Sequence, residues 1–197
     1  MAQQEFIFTD WVRNQVRERM GELGRTLHRL GIHPDVITLL GLLVVGISAS
    51  IIAQGQFQLG GIVLILGLPL DAVDGAVARA MGRTDKFGGI FDSTLDRYAD
   101  AFIFMGLSYH FAVLDRYDYM LLAMAALVGS VVVSYVRARA GEAGLSVRVG
   151  LFDRFVRVII ILTVLLLPPL MPVGLWVLAI GTNFTALQRM WYVYRNT

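Results

Sequence analysis

The chain lacks cysteine and is poor in charge and histidine. With no cysteine among its 197 residues, disulfide staples, thiolate catalysis and Cys-ligated zinc are all excluded. Its three histidines, His28, His33 and His110, are scattered without ligand spacing, which argues against an imidazole-held metal. Charged residues make up only 16%, and the net charge is only +2, so no nucleic-acid partner is expected. The first thirty residues hold no continuous apolar run, so no cleaved signal peptide is expected. No internal repeat or low-complexity tract interrupts the chain. What is present is apolar: 56% of residues are hydrophobic, more than a soluble domain of this length can bury, which predicts an integral membrane protein.

A helix needs roughly 17–25 apolar residues to span the hydrocarbon core. Segments of that kind fall at about residues 36–53, 59–80, 88–113, 118–140, 154–170 and 173–192. The breaks between them are short: Gly55 in a polar turn, Asp115-Arg116, and then Pro168, Pro169 and Pro172, which lack the N–H a continuing helix needs. The expected fold is all-α, a six-transmembrane-helix bundle over residues 34–197. It is preceded at residues 1–33 by a juxtamembrane segment in which Trp11, Val12, Val16, Met20, Leu23, Leu27 and Leu30 recur near helical spacing among Arg and Glu. That pattern predicts an amphipathic helix in the membrane interface, or one packed on a partner. Basic residues collect before the first span, between the second and third (Arg79, Arg83, Lys86), between the fourth and fifth, and at the C-terminus, whereas the other side holds only Arg116. The positive-inside rule then places both termini and these loops in the cytoplasm.

The stretch from Leu70 to Asp100 sets Asp71, Asp74, Asp85, Asp92, Asp96 and Asp100 between strongly apolar runs. Asp71 and Asp74 are three apart near the cytoplasmic end of the second span; Asp92 and Asp96 are four apart near the start of the third. Each spacing puts its two side chains on one helix face. Ionised carboxylates near lipid repel one another and lose hydration, so positive charge must compensate. An oxygen-only set of donors selects hard divalent cations, Mg²⁺ or Mn²⁺, and a shared carboxylate would hold two ions roughly 3.5–4 Å apart. Gly75, Ala78 and Gly88 keep the neighbouring backbone open to a bulky group, and Arg79 suits a diphosphate. Intramembrane acids also serve proton relays and ion pathways; the glycines and the flanking arginine favour the phosphate reading.

Together these residues read D-x2-D-G-x2-A-R-x8-G-x3-D-x3-D from Asp71 to Asp96, which resembles the motif of the CDP-alcohol phosphotransferase family. The six spans and the GIHPDVITLLGLL opening are also similar, with Asp35 where Asn is usual. The resemblance implies an integral membrane enzyme, commonly a homodimer, that moves a phosphatidyl group from CDP-diacylglycerol to an alcohol and releases CMP. It implies that Asp71, Asp74, Asp92 and Asp96 ligate two metal ions. It implies further that Asp71, Asp74, Gly75, Ala78, Arg79 and Gly88 line the CDP site, and that Asp96 is the general base.

Downstream, the Ser134–Leu145 and Gly150–Arg157 segments and the Asp96-Arg97-x-x-Asp100 pattern resemble the bacterial phosphatidylinositol-phosphate synthases of that family. Arg137 replaces a usual Lys, Asp153 a usual Glu, and Phe155-Val156 a Pro-Glu pair. This resemblance implies inositol 1-phosphate as acceptor, held by Arg137, Arg154 and Arg157, with Ser134 one turn before Arg137. The alternative for these arginines is a basic flank touching anionic lipid head groups; Arg139 and Arg148 are expected to face head groups or solvent. Asp100 is expected to pair with Arg97 or a neighbouring helix. Other readings of the chain are a glycerol 3-phosphate acceptor, a transferase using CDP-inositol, an intramembrane prenyltransferase, or an ion-coupled transporter. The expected setting is a prokaryotic cell membrane, with the active site on the cytoplasmic side.

Overall fold

A computed structural model of the chain describes residues 8–197, with side chains described from Arg19 onward. Its helices are α1 (Phe8–Arg29), α2 (Pro34–Ala53), α3 (Phe57–Ala80), α4 (Lys86–Val113), α5 (Tyr117–Glu142), α6 (Arg154–Leu166) and α7 (Met171–Asn196), with a 3-10 turn at Pro168–Leu170 before α7. Among the described residues there is no strand. Every apolar segment read from the sequence falls on a helix, but the fifth is shorter than expected. It stops at Leu166 because Pro168 and Pro169 supply no backbone N–H.

Among the described residues, four stretches are long and apolar enough to cross a membrane: Pro34–Ala53, Phe57–Ala80, Tyr117–Glu142 and Pro168–Asn196. On α2, Val36, Leu39, Leu40, Leu43 and Ile47 are exposed along the helix, a liability in water and ordinary in lipid. The 28 residues of α4 include Asp92, Asp96, Arg97 and Asp100, which dilute its apolar character. The 13 residues of α6 extend about 20 Å against a hydrocarbon core of roughly 30 Å.

The helices group into two compact units, residues 1–43 with 67–95 and residues 44–66 with 96–197. In the first, Ile37, Val73 and Val77 form a small core, against which Met20, Leu27, Ile32 and Leu70 pack. Two of the apolar positions read from the α1 sequence therefore lie against protein, whereas Leu23 and Leu30 are exposed; the side chains of Trp11, Val12 and Val16 lie outside the described residues. At Gly24 an added Cβ would stand 2.6 Å from the Ala76 carbonyl oxygen, so glycine lets α1 close on α3.

The α3–α4 turn positions several polar side chains. Gly82 takes φ 62°, which L side chains resist. There the Gly82 N–H donates to the Arg79 carbonyl at 3.1 Å and the Arg83 N–H to the Ala78 carbonyl at 3.0 Å. Asp85 then caps α4, its Oδ1 accepting the Gly88 N–H at 2.8 Å.

In the second unit, Phe104, Leu107, Ile161, Leu165, Leu175 and Leu178 are among the fully buried residues of a larger core. Polar bonds lock its helices together. Ser48 donates to the Gly60 carbonyl at 2.8 Å, and the Asn183 amide donates to the Ala125 carbonyl at 2.9 Å across α5 and α7. Gly106 meets the Ala49 carbonyl so closely that an added Cβ would stand 2.5 Å from that oxygen, a contact between rigid backbones. Gly106→Val should therefore destabilise the detergent-solubilised protein by about 1–3 kcal/mol, read as a lower thermal midpoint. At Gly141 nothing lies within 4 Å of an added Cβ, so Gly141→Ala should hold or raise the midpoint by restricting the unfolded chain.

Candidate functional site

Most of the acidic motif lines a cavity of about 250 Å³ in the first unit. Asp71, Asp74, Gly75 and Ala78 enter from the last turns of α3, and Gly88 and Asp92 from the first turns of α4. Asp74 is buried, and its Oδ2 accepts a 2.8 Å hydrogen bond from the Thr38 hydroxyl of α2. Pro69 lies inside α3 two residues before Asp71, leaving one carbonyl without its helical partner as the acids begin.

The wall departs from the sequence reading in three ways. Arg79, expected on the diphosphate, does not line this cavity; its Nη1 lies 3.2 Å from where a Cβ on Gly75 would stand. The cation on the wall is Arg83. Its Nη1 and Nη2 both donate to the carboxylate of Asp35, the second at 3.2 Å, and its Nε donates to Asp85 Oδ2 at 2.7 Å. Asp85 is thereby held below the ordinary carboxylate range, first by Arg83 and then by the Gly88 amide. Thirdly, Asp96 lines a different cavity. Thr38, Asp35 and Arg83 carried one readable signal, polarity beside an apolar segment, but no spacing that tied them to the motif.

Among the described residues, no three His, Cys, Asp or Glu side chains converge closely enough to hold an ion between them. The donors nevertheless suit one. Asp71, Asp74 and Asp92 face one cavity with no thiol or imidazole on its wall, and its volume leaves room for an ion that keeps part of its water. Such oxygen-only sites fit Mg²⁺ or Mn²⁺.

The second unit holds a cavity of about 160 Å³ lined by five arginines, Arg97, Arg137, Arg154, Arg157 and Arg189, with Ser134, Asp96, Asp100 and Asp153. Arg157 is 2% exposed. Its Nη2 donates to Asp100 Oδ2 at 2.7 Å and its Nη1 to the Phe152 carbonyl at 3.3 Å, while its buried Nε has no partner. Asp100 thus pairs with a neighbouring helix, the second of the two partners read from sequence. Arg154 reaches Asp96 Oδ1 at 2.7 Å, and Arg97 lies 3.7 Å from Asp96 Oδ2. Asp153 caps α6 through the Val156 N–H at 3.0 Å, which sets Arg154 and Arg157 on its first turn. Ser134 donates to the Ser130 carbonyl one turn back.

Arg189 was not singled out from the sequence. It is buried on α7, with Nε donating to the Val149 carbonyl at 3.0 Å and Nη1 to the Val133 carbonyl at 2.9 Å. Bonds to carbonyls orient a guanidinium without cancelling its charge. Arg139 pairs with exposed Glu142, and Arg148 lines a separate cavity of about 320 Å³ that Arg137 also borders.

Comparison with known proteins gives this arrangement a context. The family model described as CDP-alcohol phosphatidyltransferase matches residues 31–187. The archaetidylinositol phosphate synthase of Pyrococcus horikoshii is 38% identical over 182 residues, covering 91% of this chain and 93% of that protein. Two crystal structures of the Mycobacterium tuberculosis phosphatidylinositol phosphate synthase are similar throughout. The one with CDP-DAG bound has a TM-score of 0.84 at 33% identity, covering 89% of this chain and 93% of that one. The one in complex with manganese and citrate has a TM-score of 0.83 at 34% identity, covering 89% and 88%. With the family model spanning most of its length and Asp71, Asp74, Gly75, Ala78, Gly88 and Asp92 of the acidic motif on one cavity, the chain belongs to the CDP-alcohol phosphatidyltransferase family.

Proposed function

We propose that the protein transfers a phosphatidyl-type group from CDP-diacylglycerol to inositol 1-phosphate, releasing CMP. The observation that carries the acceptor assignment is the five-arginine cavity, in which the buried Arg189 is held by carbonyls that leave its charge uncancelled and one N–H of the buried Arg157 has no protein partner. Such a cavity suits a phosphorylated acceptor rather than a free polyol. The inositol phosphate named in both relatives agrees with it.

In this reading Asp71, Asp74, Asp92 and Asp96 would hold two divalent cations, which would supply positive charge to the donor diphosphate and to the leaving CMP. Gly75, Ala78, Arg79 and Gly88 shape the CDP site. Arg137, Arg154, Arg157 and Arg189 hold the acceptor phosphate, with Ser134 beside them. Asp96 takes the proton of the acceptor hydroxyl as that oxygen bonds to the β-phosphorus; the bond from β-phosphorus to the bridging oxygen breaks, and CMP leaves with the electron pair. Arg154, which bonds to Asp96 in the absence of acceptor, turns to the acceptor phosphate and frees that carboxylate oxygen.

We also infer six membrane crossings, with α4 and the 154–170 stretch completing the four apolar spans. The grouping of Arg and Lys supports this, placing both termini and the active site in the cytoplasm of a prokaryotic cell. Residues 1–33 lie along the inner interface, against membrane lipids, and 34–197 form the transmembrane domain of a homodimer.

Purified protein given CDP-diacylglycerol and Mg²⁺ should release CMP with inositol 1-phosphate and little with free inositol. Equal release without acceptor, or a preference for glycerol 3-phosphate, would overturn the assignment. Chelation should abolish turnover, and Mg²⁺ or Mn²⁺ should restore it; Asp92→Asn and Asp96→Asn should each lose about a hundredfold or more in kcat. Arg157→Ala should raise the acceptor KM by about ten- to a hundredfold, with a smaller effect on the KM for CDP-diacylglycerol.

A further inference from the structure

Among the described residues, the wall of the acidic cavity bears Asp35, Asp71, Asp74, Asp85 and Asp92 with one cation, Arg83. Among the described residues that line this cavity, Arg83 is the cation an entering anionic ligand would meet. That group is held in place. Asp35 at the start of α2 engages both terminal nitrogens of Arg83, and Asp85 at the start of α4 engages Nε. Asp35 is itself oriented locally, its amide donating to His33 Nδ1 at 3.3 Å. The guanidinium occupies the space that glycine leaves at position 88, where an added Cβ would stand 2.8 Å from Arg83 Cζ. Of the five N–H donors on an arginine, these bonds use three, so two remain.

We propose that Arg83 is a binding residue for the diphosphate of the nucleotide-activated donor, and that Asp35 is the positioning residue that aims it. The inference rests on the donor reading given above. A guanidinium fork matches phosphate oxygens in plane, and one fixed on two sides loses little side-chain freedom when an anion arrives. Its place on the wall with Asp71, Asp74 and Asp92 puts it where a diphosphate held by cations on those acids would lie. A purely structural role, joining the α2 N-terminus to the α3–α4 turn, would instead affect stability and leave substrate affinities alone.

The test uses the full-length enzyme in detergent, with CDP-diacylglycerol, inositol 1-phosphate and Mg²⁺. Arg83→Gln should raise the KM for CDP-diacylglycerol by about tenfold without moving the KM for inositol 1-phosphate. Arg83→Lys, which keeps the charge and loses the fork, should recover part of that loss. Asp35→Asn should raise the donor KM by a smaller factor and add nothing in the Arg83→Gln background, because it acts only through Arg83. A donor KM that stays within about twofold in Arg83→Gln, or an Asp35→Asn effect that persists without Arg83, overturns the proposal. If Arg83→Gln does not fold, the Arg83→Lys and Asp35→Asn donor KM values decide it: both unmoved overturns the proposal. An unmodified enzyme that releases no CMP overturns the donor reading itself, whereas normal turnover with an unmoved donor KM overturns this inference alone.

Discussion

A carboxylate at the end of an apolar helix cannot be left without positive charge, because burial removes its hydration and a neighbouring carboxylate repels it. This constraint governs the central stretch of the chain. Asp100 is answered by the buried guanidinium of Arg157, Asp96 by Arg154, and Asp35 and Asp85 by Arg83. Asp74 receives the Thr38 hydroxyl and shares its cavity with Asp71 and Asp92.

The two cavities differ in sign, and the difference follows from which elements line them. The last turns of α3 and the first turns of α4 bring carboxylates and glycines, which suits a ligand that arrives with metal. The C-terminal end of α5, the capped start of α6, a buried position on α7 and Arg97 of α4 bring arginines, which suits a ligand that carries its own negative charge. α4 contributes Asp92 to the first and Asp96 to the second, four residues apart on one helix. A reaction that joins an activated lipid to a phosphorylated alcohol needs both kinds of environment.

Much of this was legible beforehand, because helix formation and membrane crossing are written in local composition. The apolar runs gave the helices to within a few residues. Asp71, Asp74, Gly75, Ala78, Gly88 and Asp92 share a wall as their spacing suggested. What failed to show was partner choice. Arg79 has a spacing that points at the motif, yet Arg83 lies on the wall, because the left-handed Gly82 redirects the chain after Ala80 and Asp35 then holds the guanidinium. Arg189 sits in an apolar helix near the C-terminus, and nothing around it in sequence marks it as facing the arginines of α5 and α6.

Sequence alone determined that the chain is helical, where its apolar helices run, and that its acids fall on shared helix faces, since each depends on periodicities of a few residues. Tertiary structure alone decided which charges answer one another. Asp100 meets Arg157 across 57 positions, and the Arg189 guanidinium is oriented by a carbonyl 56 positions away. Such pairings depend on which helices become neighbours and how they are rotated, and no local pattern encodes that.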